Sequence, residues 1–105
     1  MPFRLRIATL AQQQIDDFAA YLNDYSDQLA AEQIDRLYRI LSVTLTRSPL
    51  TWGYFPLTGA PYRGYLFRVG RRTHYWIVYK VDEEASTVDI LNFWNASRDP
   101  KTLDL

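Results

Sequence analysis

The stretch PYRGYLFRVGRRTHYWIVYKVDEEASTVDILNFWNASRDP, from Pro61 to Pro100, decides the fold of this chain. It contains three segments rich in aromatic and β-branched residues, separated by short polar turns, and this pattern predicts three consecutive β-strands. The predicted strands cover residues 65–69, 73–81 and 87–95. Because both connections are short, the three strands are expected to form an antiparallel meander.

The middle strand has the clearest alternation of side chains. One face would carry Tyr75, Ile77, Tyr79 and Val81, and the other would carry His74, Trp76, Val78 and Lys80. Tyr79 shares its face with two aliphatic residues, so we interpret it as a core residue rather than a catalytic one. His74 begins the strand beside two arginines, where an exposed or turn-capping histidine is the ordinary structural interpretation.

A short strand and two amphipathic helices precede this stretch. Apolar residues alternate with arginines over 3–7, which is typical of a strand with one buried face. Apolar stripes at helical spacing then predict two helices, one that begins at Thr9 and is separated by a break over 23–27 from a second that runs to about Arg47. Thr9, with Gln12 three residues later, fits a capping box for the first helix, and Ser26 or Asp27 can cap the second. The stripes are Ala11, Ile15, Phe18, Ala19, Leu22 and Tyr25, then Ala30, Ile34, Leu37, Tyr38, Leu41 and Leu45.

These elements predict an α+β fold with the order β-α-α-β-β-β. The two helices would form an antiparallel hairpin, and its stripes must be buried against the sheet because no other partner exists in the pattern. The fold class is therefore a two-helix hairpin packed on a mostly antiparallel four-stranded sheet. Residues 50–60 lack any period and hold two glycines and a proline, so they are interpreted as a loop pinned by its aromatic side chains.

Length and composition limit the class of protein. A chain of 105 residues is expected to form one domain, 1–105, with a modest core. The absence of cysteine excludes disulfides and thiol catalysis, and one histidine cannot build a histidine-rich metal site. No metal and no cofactor are therefore predicted. The sequence has no long apolar run and no secretory pattern, so a cytoplasmic protein with no membrane association is expected.

The formal net charge is zero, but the charges are segregated along the chain. Residues 11–35 hold six acids and no Lys or Arg: Asp16, Asp17, Asp24, Asp27, Glu32 and Asp35. Residues 47–81 hold six bases and no acid: Arg47, Arg63, Arg68, Arg71, Arg72 and Lys80. The segregation suggests that the sheet side meets an anionic partner. The alternative is that the two parts neutralise each other within the fold.

The order of elements and motifs resembles the RelE/ParE toxin superfamily, the toxin halves of bacterial type II toxin–antitoxin (plasmid stabilisation) systems. The resemblance is carried by an arginine-bearing strand, then GRRTHYWIVYKV at 70–81, VDILNFW at 88–94 and SRDP at 97–100. With the predicted helices included, it covers nearly the whole chain. It implies a cognate antitoxin protein as partner, and it allows a homodimer or a hetero-oligomer with that antitoxin.

The superfamily contains two functional branches, and the resemblance implies a different activity for each. The RelE-like branch cleaves mRNA on the ribosome without a metal ion, using basic residues on the sheet and often a tyrosine near the C-terminus. The ParE-like branch inhibits growth by poisoning DNA gyrase and lacks that catalytic set. Here Asn95 stands where many relatives have histidine, no tyrosine follows Arg98, and residues 50–60 contain no lysine. These departures favour the ParE-like branch.

Three hypotheses follow for function. The first is a ParE-like toxin that binds DNA gyrase, and the second is a ribosome-dependent endoribonuclease acting on mRNA. The third is a family member without toxicity that acts only as a DNA-binding co-repressor with its antitoxin. The candidate catalytic residues of the ribonuclease would be Arg68, His74 and Arg98. The candidate residues for binding a target or antitoxin are Arg63, Arg71, Arg72, Trp76, Lys80 and Trp94.

Overall fold

The chain follows the predicted β-α-α-β-β-β order in the structure, a computed structural model that describes residues 2–105. Its main elements are β1 (Arg4–Ile7), α1 (Thr9–Asn23), α2 (Asp27–Arg39), β2 (Arg63–Arg68), β3 (His74–Asp82) and β4 (Thr87–Asn95). A π-helical segment (Ile40–Thr44) and a helical turn, α3 (Leu45–Arg47), continue α2, and a 3-10 turn (Pro100–Thr102) follows β4. The predicted strand bounds differ from these by no more than two residues.

The four strands form one sheet in the order β1-β4-β3-β2. The meander of β2, β3 and β4 is antiparallel as predicted, whereas β1 pairs in parallel with β4, with Leu5 opposite Val88. β1 covers only the first half of β4, since its register ends with Ile7 opposite Ile90. A register shift in β3 between Val78 and Tyr79 is the one irregularity in its pairing with β4.

The helices bury their stripes on one face of the sheet, here called the helix face. Ser26 caps α2 as predicted, because its Oγ accepts a hydrogen bond of 3.2 Å from the backbone N–H of Leu29. The buried core on this face consists of Ala11, Ile15, Phe18, Leu22, Ala30, Leu37, Ile40, Leu41, Leu45, Phe67, Ile77, Tyr79, Val88, Ile90 and Phe93. Tyr79 therefore belongs to the core, as the alternation predicted.

Two local predictions for the helices were wrong. The capping box at Thr9 does not form: α1 begins at Thr9 after Ala8, which offers no side-chain cap, and Gln12 instead donates to Tyr38 Oη at 2.8 Å. Tyr25 is 71% exposed because α1 has already ended at Asn23. The second helix reaches Arg47 as predicted, with a π-helical segment inside it, where the Ser42 hydroxyl donates to the Tyr38 carbonyl, a bond that competes with regular helix geometry.

The opposite face of the sheet, here called the loop face, is covered by the chain's own irregular segments. Phe55, from the predicted loop, is fully buried there and packs edge-on against Trp76 with ring centroids 5.4 Å apart. Gly64 lets them approach, since a Cβ at this position would lie 3.0 Å from the Trp76 ring and 3.2 Å from the Phe55 ring. A small second core results, formed by Phe55, Val78 and Trp94 with Tyr62, Trp76 and Leu103 against it.

Candidate functional site: the strand-end groove

A groove of about 580 Å³ lies where β3 begins and β4 ends, beside α1. We call it the strand-end groove. Its lining comprises Gln14, Asp17, Phe18, Tyr21, Arg72, Thr73, His74, Tyr75, Phe93, Trp94, Asn95, Ala96, Ser97 and Arg98. The sheet creates this site because the first residues of β3 are paired with the last residues of β4, with Tyr75 opposite Asn95.

Aromatic rings line one part of the groove. Tyr75 and Phe93 stack with their centroids 4.5 Å apart and their planes only 5° from parallel, and Phe18 packs against both. Partial burial is the main cause that raises the pKa of Tyr75, while the nearby Arg98 charge and the Asn95 side chain act to lower it. The Tyr75 phenol is therefore neutral at pH 7 and lies within the field of Arg98.

Three cationic or titratable side chains surround these rings: Arg72 from the turn before β3, His74 at the start of β3, and Arg98 just after β4. Within residues 2–105 the ion pairs are Arg6–Asp89 and Arg39–Asp35, so none of the three has an acidic partner. Asp17 of α1 is the one carboxylate among the lining residues. The groove is therefore an aromatic site with an uncompensated basic rim.

No contact ion pair joins the two charged segments within the described residues. Of the two ion pairs there, Asp35–Arg39 lies within α2 and Arg6–Asp89 joins β1 to β4. Neither connects the acidic segment 11–35 with the basic segment 47–81. The strand-end groove has residues of both segments in its lining, Asp17 from the acidic one and Arg72 from the basic one.

The three predicted catalytic residues are only partly brought together. His74 and Arg98 both line the groove, and Arg72 joins them there. Arg68 pairs with His74 in the register of β2 and β3 but is not among the lining residues. Its carbonyl accepts a hydrogen bond from the Arg36 guanidinium, which joins the end of β2 to α2. Arg71 is exposed in the turn between β2 and β3, as predicted.

Three of the predicted binding residues, Trp76, Lys80 and Trp94, lie on the loop face, whereas Arg63 pairs with Tyr79 and therefore lies on the helix face. All four already have partners within the chain. Arg63 donates to the Trp52 carbonyl at 2.7 Å, and its guanidinium carbon lies 4.5 Å above the centre of the Tyr54 ring. Lys80 is exposed, with its Nζ 5.9 Å from the centre of the Tyr62 ring. Trp76 and Trp94 belong to the second core, and Trp94 is only 4% exposed. This face is thus largely occupied.

Sequence reasoning missed the residues that join α1 to the end of β4. The Gln14 amide accepts from the Phe93 backbone N–H at 2.7 Å and donates to Asn92 Oδ1 at 2.8 Å, where β1 no longer covers the edge of β4. Asn92 is buried and donates to the Asp104 carbonyl at 2.8 Å, which holds the C-terminal tail. A glutamine in a run of three carries no local signal for this role.

The turn after β4 is held by its own hydrogen bonds. Asn95 Oδ1 accepts from both the backbone N–H and the hydroxyl of Ser97, at 3.0 and 2.8 Å, and the Arg98 N–H donates to the Asn95 carbonyl at 3.0 Å. Asn95 therefore shapes the turn that presents Arg98.

Neither a metal site nor a membrane-spanning helix is present in the part of the chain that the structure describes. No three His, Asp or Glu side chains gather there in a way that could hold a metal ion. Among the same residues, no helix has the length and apolarity needed to cross a membrane.

Comparison with known proteins identifies the family. The family model of the ParE toxin of the type II toxin–antitoxin system, parDE, matches residues 5–100. A similar solved structure is the toxin–antitoxin complex RelBE2 from Mycobacterium tuberculosis, with 23% identity, a TM-score of 0.59, and coverage of 90% of this chain and 99% of that one. At that identity the likeness shows the fold alone. No curated protein sequence matches the chain. The family model spans nearly every element described above, and the chain therefore belongs to the ParE toxin family.

Proposed function

We propose that this chain is a cytoplasmic toxin of a type II toxin–antitoxin system that arrests growth by binding DNA gyrase and is neutralised by a cognate antitoxin. The observation that carries the proposal is the match of the ParE toxin family model to residues 5–100. An antitoxin partner is further supported by the similar solved structure, which is itself a toxin–antitoxin complex.

The geometry of the site supports inhibition by binding rather than by catalysis. Of the candidate ribonuclease residues, Arg68 lies outside the groove that holds His74 and Arg98. Tyr79 is fully buried and donates its hydroxyl to the Pro49 carbonyl at 2.7 Å, so it cannot reach a substrate. An RNase of this kind needs an acid, a base and cations around one phosphate. That set is incomplete among the predicted residues.

One observation favours a second candidate, the metal-independent endoribonuclease. The groove brings His74, Arg72 and Arg98 around the neutral phenol of Tyr75, although these residues come from separate turns and strand ends. An imidazole can move a proton, and two guanidiniums can stabilise a phosphate in the transition state. For this function His74 would be the general acid or base, and Arg98 would bind the phosphate.

The two candidates are separated by expressing the chain in a bacterial host with a DNA-damage reporter while growth is followed. Gyrase poisoning predicts arrest with the reporter on, and purified protein should then inhibit supercoiling by gyrase. Arrest with a silent reporter, together with discrete mRNA cuts by primer extension that His74→Gln abolishes, would replace the first candidate by the second. Arg47→Gln, an exposed arginine outside the groove, is the matched control. Absence of arrest with soluble protein present would contradict both and leave the non-toxic co-repressor hypothesis.

A further inference from the structure

We propose that the strand-end groove is the docking site for a segment of the antitoxin in which isolated carboxylates alternate with apolar side chains, so that neutralisation works by filling this groove. The inference rests on the proposed toxin function and adds to it the place and the chemistry of the partner's contact. It also moves the expected docking surface from the face of the sheet to the end of its strands.

Charge is the first argument. Arg72, His74 and Arg98 converge on the groove, and no acidic side chain within residues 2–105 pairs with any of them. A carboxylate placed between two guanidiniums would accept charge-assisted hydrogen bonds, which are shorter and stronger than neutral ones. Arg72 and Arg98 therefore have no ion-pair partner among the described residues, and a partner protein can supply one.

The surroundings of the rim decide which kind of anion fits. Asp17 of α1 forms part of the wall of the groove. A continuous polyanion such as RNA would bring phosphates against this carboxylate, and like charges in close contact repel. A peptide with separate carboxylates can direct one of them at the arginines and place apolar residues elsewhere. The structure thus favours a peptide over a nucleic acid.

Shape gives the second argument. A groove of about 580 Å³ falls within the range of sites that hold a small ligand or a few side chains. The half-buried ring of Tyr75, stacked on the buried Phe93, provides an apolar surface, and Tyr21, which is 53% exposed, extends it along α1. An apolar side chain next to the carboxylate would cover these rings.

Preorganisation gives the third argument. The turn that presents Arg98 is fixed by the hydrogen bonds of Asn95 and Ser97, and α1 is fixed to β4 by Gln14. Binding to a site whose backbone is already ordered loses less conformational entropy than binding to a mobile one. By contrast, a partner on the loop face would have to displace Phe55, which the chain buries completely.

The probe for the test is a synthetic hexapeptide of alternating leucine and glutamate, and the matched control peptide has glutamine in place of glutamate. The whole chain, isotope-labelled, is titrated with each peptide and followed by NMR. We expect the glutamate peptide to shift resonances at 72–75 and 95–98, and Arg72→Gln with Arg98→Gln to weaken its binding by about tenfold or more. Arg47→Gln should leave the binding unchanged.

Several outcomes would overturn the inference. These are shifts centred on Arg63 and Lys80, equal binding of the glutamine peptide, absence of binding, or an affinity that the double substitution leaves intact. A hexaribonucleotide that shifts the same residues at lower concentration than the peptide would assign the groove to RNA instead. Growth arrest by the unaltered chain is measured in parallel. If the unaltered chain does not arrest growth, the proposed function is refuted. If it arrests growth but the peptide does not bind at the groove, only this inference is refuted.

Discussion

The two faces of the sheet are built in different ways. The helix face is covered by long regular elements whose apolar stripes make one continuous core, in which Phe67 contacts rings from both α1 and β4. The loop face is covered by residues 55–62 and the C-terminal tail, around a core of only three buried side chains. The helix face therefore contributes most of the stability, while the loop face mainly determines which basic and aromatic residues are unavailable to a partner.

The largest expected effect is on the helix face. Phe67 is fully buried, with edge-on contacts to Phe18 and Phe93 and the Arg36 guanidinium 4.0 Å from its ring centre. Phe67→Ala should lower the free energy of unfolding by about 4 kcal/mol, because regular elements on all sides prevent the cavity from closing. Urea denaturation measures this. A loss below about 2 kcal/mol would show that the helix face can collapse onto the cavity.

The matched substitution on the loop face is Phe55→Ala, which removes an equally buried ring. Here we expect a smaller loss of about 2 kcal/mol, because an irregular loop can move into the space that the ring leaves. The same urea titration compares the two variants directly. Equal losses would mean that the loop is as rigid as the helices, and the contrast between the faces would be wrong.

Tyr79, in the core of the helix face, gives a pH-dependent effect. Burial is the main cause that raises the pKa of Tyr79 to about 12, and Arg63 acts to lower it. Since the unfolded phenol ionises near 10, its stabilising contribution is complete below about pH 10 and is lost as the pH rises towards 12. At about pH 11 this loss should be close to 1.4 kcal/mol.

Tyr79→Phe is the control for that effect. At neutral pH it should lose about 1 kcal/mol, because the hydrogen bond to the Pro49 carbonyl disappears and leaves that buried acceptor unpaired. Between about pH 9 and pH 11 the variant should lose less stability than the unaltered chain, whose Tyr79 is driven to ionise. Parallel alkaline profiles for the two proteins would contradict the raised pKa.

Sequence patterns predicted the fold well because period and turn chemistry are local. The alternation in 73–81 placed Tyr79 in the core and Trp76 on the other side, and both assignments are confirmed. What the pattern could not show is that residues 55–62 fold back over the face that carries Trp76 and Lys80. That contact joins residues distant in sequence, and the loop that makes it has no periodic pattern of apolar residues.

The candidate site was less predictable for the same reason. His74 and Arg98 were singled out from residue type and resemblance, and the structure does place both in one groove. Arg68 is a candidate because the resemblance implies an important arginine on its strand, yet it is not among the groove's lining residues. The contribution of Gln14 depends on β1 ending at Ile7, halfway along β4, a length that alternation alone does not define.

The smallest expected effect concerns Trp94, on the loop face. Its indole N–H is buried and has no hydrogen-bond partner among residues 2–105, and an unpaired buried donor costs roughly 1–3 kcal/mol. Trp94→Phe removes that donor but also leaves a small cavity, and the two changes oppose each other. The free energy of unfolding should therefore change by less than about 1 kcal/mol, although Trp94 is as buried as the core residues of the helix face. A loss above about 2 kcal/mol would mean that the indole makes a hydrogen bond in solution, and the small core of the loop face would then be better satisfied than its geometry indicates.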